Sequence, residues 1–101
     1  MREVLNNRRS HEVFEIEHGG QRYTVGVGHF PSGRPAEVFI NSPMVGTAAD
    51  INARDGAILL SLLMQHGVDS GAVAHSLTRN SDGKPSGPIG MIASMLGGSA
   101  T

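Results

Sequence analysis

Val13-Phe14-Glu15-Ile16-Glu17-His18-Gly19-Gly20-Gln21-Arg22-Tyr23-Thr24-Val25-Gly26-Val27-Gly28 decides the first half of this chain. Apolar residues alternate with polar ones on both sides of Gly19-Gly20, and Tyr23, Val25 and Val27 share one face. Two such runs around a Gly-Gly turn read as a hairpin, because glycine accepts the positive φ angles of a tight turn. Pro31-Ser32-Gly33-Arg34-Pro35 is a second turn, and Ala36-Glu37-Val38-Phe39-Ile40-Asn41 a third strand. Three strands with one covered face are a reasonable minimum for a stable sheet. Gly26 and Gly28 lie inside a strand, where glycine marks a bulge or the close approach of another backbone. A packed helix is the expected neighbour there, and a ligand the alternative.

The period changes after Asn41. Thr47-Ala48-Ala49-Asp50 has capping-box spacing, with Asp in the place of Glu. Ile51, Ile58, Leu59, Leu62 and Leu63 then form an apolar helical face, with Met64 at its edge. Gly67 stops that helix, since glycine takes the left-handed C′ conformation without penalty. Asp69 or Ser70 caps a second short helix carrying Val73 and Leu77, and Pro88 opens a third holding Ile89, Ile92, Met95 and Leu96. The predicted fold is α+β: a three-stranded antiparallel β-meander followed by three helices packed on one face of the sheet. Residues 1–11 read as a flexible N-terminal segment and 12–101 as a single domain.

A chain of 101 residues suits one domain with a thin core. No run approaches the ~20 apolar residues of a membrane-spanning helix. The opening MREVLNNRRSHEVFE has no signal-peptide stretch, so the expected location is cytoplasmic. There is no Cys, which excludes disulfides, thiolate metal sites and cysteine nucleophiles. A formal net charge of -1 provides no general field for nucleic acid, and aromatics spread singly over three strands give no stacking platform. Direct nucleic-acid binding is therefore not expected. Low charge on a small domain favours a homo-oligomer, with a dimer first.

Among the five histidines none forms a helical zinc pair, and no metal or cofactor is expected. His29, beside Gly28 and a turn, is the most interesting of them, although no sequence neighbour is a carboxylate that would orient its ring. Asp55 falls near the apolar stripe, where a carboxylate needs a partner. Arg34, Arg22 or a backbone donor near Gly28 is expected to pair with it and tie helix to sheet, with a ligand-binding or acid/base role as the alternative. Arg79-Asn80-Ser81-Asp82-Gly83-Lys84-Pro85-Ser86-Gly87 precedes a helix N-terminus and presents Arg79, Asn80, Lys84 and Ser86. Such a loop suits an anion such as phosphate or a nucleotide, though Lys84-Pro85 breaks the P-loop spacing, and an ordered interface loop is the other reading.

Arg34-Pro35-Ala36-Glu37-Val38-Phe39-Ile40, then Gly46, then Asp55-Gly56-Ala57-Ile58-Leu59-Leu60-Ser61-Leu62-Leu63-Met64-Gln65-His66-Gly67-Val68 resembles the TSCPD domain over roughly residues 12–96. That domain ends adenosylcobalamin-dependent ribonucleotide reductases and also stands alone. The Thr-Ser-Cys-Pro-Asp signature is absent here, so no role of its cysteine carries over. The resemblance implies an accessory module that handles protein or nucleotide contacts around such an enzyme. The residues agree in showing no nucleophile–base–orienter set. The expected function is a non-enzymatic accessory or regulatory domain acting through oligomerisation and a protein partner. The rival expectation is a small nucleotide- or phosphate-binding domain or enzyme in which His29, Arg34, Asp55 and the Arg79–Gly90 loop converge.

Overall fold

The computed structural model describes residues 11–97. Strands β1 (His11–His18), β2 (Gln21–His29) and β3 (Pro35–Asn41) are followed by helices α1 (Ala48–Gln65), α2 (Ser70–Ser76) and α3 (Pro88–Gly97). The sheet order is β1-β2-β3 and both pairs are antiparallel, so the meander and the three helices stand as the sequence predicts. Residues 1–10, most of the expected flexible segment, lie outside the described residues, and His11 already belongs to β1.

Gly19 and Gly20 both take positive φ, which lets two residues close the β1–β2 hairpin. Its register places Ile16 opposite Tyr23, and the β2–β3 register places Val25 opposite Ile40 and Val27 opposite Val38. These six side chains are buried on one face. Ala53, Ala57, Leu60 and Met64 of α1, Ala74 of α2, and Ile92 and Ala93 of α3 complete the same core cluster. Val13, Thr24 and Phe39 point to the other, open face.

Gly26 belongs to that open face. No helix presses against it; the Phe39 side chain leans over it, and the His11 ring stacks on Phe39 with centroids 6.2 Å apart. The strand irregularity falls at Gly28/His29, where the β2–β3 register shifts. The seat for a helix expected at Gly26 and Gly28 is thus absent at Gly26, because the pleat aims it away from the helical layer.

Helix α1 begins and ends on sequence-local devices. Thr47 Oγ1 accepts the Asp50 N–H at 3.1 Å, as an N-cap should. The Asp50 carboxylate reaches one residue past the cap and accepts the Gly46 N–H at 2.9 Å. At the other end Val68 N–H bonds the Leu63 carbonyl and Gly67 N–H bonds the Met64 carbonyl. With Gly67 at φ 87°, this is a Schellman stop of the kind its position predicted.

Candidate functional site

The side of α1 that meets the sheet is not the side its largest apolar residues mark. Ala53, Ala57, Leu60, Ser61, Met64 and Gln65 are buried, while Ile51, Ile58, Leu59, Leu62 and Leu63 are exposed, Ile58 by 57% and Leu59 by 61%. The predicted core face therefore points to solvent, and only Met64, expected at its edge, is inside. Two physical reasons account for the reversal. Small residues at positions 53 and 57 suit a close approach of α1 to β3. The edge of β3 also needs polar partners that the aliphatic face cannot provide.

Those partners are Ser61 and Gln65. Ser61 Oγ accepts the Val38 N–H at 2.8 Å and donates to the Ala57 carbonyl at 2.8 Å. Gln65 Nε2 donates to the Ala36 carbonyl at 3.2 Å. β3 is an edge strand, and an uncovered edge carries unpaired backbone groups ready to pair with another chain. Side chains from α1 close that edge at Ala36 and Val38. Farther along, a groove of about 420 Å³ opens between Phe39, Ile40 and Asn41 on one side and Arg54, Ala57 and Ile58 on the other. Through it the apolar face of α1 continues to the exposed Phe39.

Asp55 is exposed, so the buried anchor expected there is corrected. The carboxylate that ties helix to sheet is Asp50, 2% exposed, with Arg54 Nε 3.3 Å from its Oδ1. Arg54 extends the link by donating from Nη2 to Asn41 Oδ1 at 3.2 Å. Asp50 stands at the helix start, turned inward among the small residues, whereas Asp55 falls on the aliphatic face that faces water.

His29 has a carboxylate beside it after all, provided across the hairpin: Glu12 Oε1 is 3.2 Å from Nε2. Its Nδ1 is buried and meets no partner among the described residues. The Arg34 guanidinium lies 5.1 Å from the centroid of the buried Phe30 ring, a cation–π contact. Both groups are at the end of β2 away from the long loop, about 25 Å along the strand from its start. The loop sits at that start, because His18 Nε2 is 3.0 Å from the Ser86 carbonyl.

Within the loop Arg79 and Pro85 form an antiparallel bridge. Ser86 Oγ donates to Asn80 Oδ1 at 2.8 Å, and the Lys84 N–H bonds Asp82 Oδ1 at 2.9 Å. Arg79 Nη2 turns back to the Ala74 carbonyl at 3.4 Å and lies 3.3 Å from His75 Nδ1. Arg79, Asn80 and Ser86 thus hold the loop together. His29, Arg34, Asp55 and the loop occupy separate places, so the convergent set of the rival expectation is not assembled. Among the described residues no three His, Asp or Glu side chains gather as metal ligands would.

A second concavity, of about 310 Å³, lies where α1, the loop and the start of α3 meet. Its walls are mostly apolar, and Tyr23, Asn52 and Thr78 bring the side-chain polar groups. The sequence offered little signal for it, because Tyr23 reads as an ordinary strand core residue and Asn52 as an exposed helical one.

Fold and sites together define a small α+β domain of six sequential elements. Residues 3–98 match the TSCPD domain family, and the chain belongs to it. No curated protein and no solved structure matches the chain.

Proposed function

We propose that this protein is a non-enzymatic accessory domain acting through protein contacts. It pairs with a second copy through the outward face of α1 and serves a protein partner. The setting we assign is cytoplasmic and linked to ribonucleotide reduction or nucleotide metabolism, as the family resemblance implies.

The supporting observation is the exposure of Ile51, Ile58, Leu59, Leu62 and Leu63 along one helix. Contiguous apolar patches of this kind mark interaction surfaces on small soluble domains. Each side chain is roughly half exposed. At ~1.5–3 kcal/mol per fully buried aliphatic side chain, covering the five recovers about 4–7 kcal/mol per copy. Association costs on the order of 4–15 kcal/mol, so one such face barely offsets it. A two-fold pair buries two faces at once and doubles the gain, which favours self-pairing as the first contact.

Size exclusion with light scattering tests this directly. The expected species at micromolar concentration is a dimer of the 10.6 kDa chain. Leu59→Asp combined with Leu62→Asp should give a monomer with an unchanged circular dichroism spectrum, since neither side chain is in the core. A wild-type monomer across that range, or a dimer untouched by the double substitution, would overturn the assignment of this face.

A further inference from the structure

We infer that the cavity between α1, the loop and α3 is a binding site for small monocarboxylates with an aromatic or branched aliphatic body. Ala53, Leu77, Pro88 and Ile89 give it apolar walls and a volume of about 310 Å³, within the range of small-molecule sites. The start of α3 lines one side through Gly87, Pro88, Ile89 and Gly90.

The backbone ladder of α3 opens with the Met91 N–H on the Gly87 carbonyl. The N–H groups of Ile89 and Gly90 precede it, and no described residue accepts them. Gly87, at the cap position, has no side chain to accept them, and the Ser86 hydroxyl before it donates to Asn80. These are orphan donors at the positive end of a helix dipole.

Tyr23 is the independent observation. Its side chain lines the cavity and is 5% exposed, yet no described residue hydrogen-bonds its hydroxyl. A hydroxyl so enclosed normally has a partner. Tyr23 is among the residues that line the cavity, so its side chain borders the space a ligand would fill. Asn52 and Thr78 at the exposed rim offer further polar groups.

Charge selects the ligand class. No Arg, Lys, Asp or Glu lines the cavity, so the helix end is the charge its walls present. One delocalised negative charge on an apolar body fits that field. A phosphate, with more charge and strongly hydrated oxygens, calls for the Arg or Lys contacts that are missing here. Lys84 and Arg79 do not line the cavity.

Amide-resolved NMR titration of the full chain tests the site, with benzoate as probe and benzamide and inorganic phosphate as comparisons. Benzoate should give saturable shifts at Ile89, Gly90, Asn52 and Thr78, and benzamide should bind at least roughly tenfold more weakly, the worth of a charge-assisted bond. Tyr23→Phe should weaken benzoate several-fold without moving the helix signals. Asn52→Asp, at an exposed position, provides a second readout: the added charge should weaken benzoate by a clearly larger factor than it weakens benzamide. Equal binding of benzamide, preference for phosphate, an unaffected Asn52→Asp protein, or no saturable shift by about 10 mM benzoate would each overturn the inference.

Discussion

Asp50 and Asp55 lie on the same helix, five positions apart, and water reaches only the second. Burial sets their worth. Asp50 accepts the Gly46 N–H and faces Arg54, so neutralising it leaves an inward polar group with weaker bonds. Asp50→Asn should destabilise the fold by about 1–3 kcal/mol, whereas Asp55→Asn should change it by less than about 0.5 kcal/mol. Urea unfolding of the two variants side by side checks both numbers. Thr47 was legible as a cap because capping is a local matter of spacing. The burial of Asp50 was not, because it depends on which way α1 rolls against β3. His29 shows the same limit: its carboxylate neighbour, Glu12, comes through strand pairing and is seventeen positions away in the chain.

Helices α2 and α3 pack on each other through glycine. A Cβ on Gly97 would meet the backbone of Gly71, 2.6 Å from its Cα, and that obstacle cannot rotate aside. Gly97→Ala should therefore push the two helices apart and cost about 1–3 kcal/mol, the usual range for overpacking. Gly87→Ala, where nothing lies within 4 Å, serves as the comparison in thermal unfolding and should shift the midpoint far less. Element order and most boundaries could be read in advance, since alternation, Gly67 and Pro88 are signals carried within each segment. The orientation of α1 could not. Both of its sides are apolar, and ranking by side-chain size selects the aliphatic row. The deciding residues, Ser61 and Gln65, look like interruptions until the backbone they bond is in view.

For the molecule as a whole, one covered sheet face and one long helix leave a thin core and a large apolar exterior. Most elements pack on neighbours in sequence, which favours rapid folding, and the step that matters most is the arrival of α1 on β3. Before Ser61 and Gln65 arrive, the Val38 N–H and the Ala36 carbonyl are exposed on a nascent strand that any other unfinished chain can zip onto. Folding thus becomes a race between a first-order event and a second-order one, and the outcome depends on how crowded the solution is. Ser61→Ala should handicap the first-order runner: refolded from urea, it should recover fully when dilute and lose soluble yield steeply as protein concentration rises. Wild-type protein diluted in parallel should show a flatter decline. A largely buried serine would then act as a safeguard for the chain's neighbours as much as for its own fold.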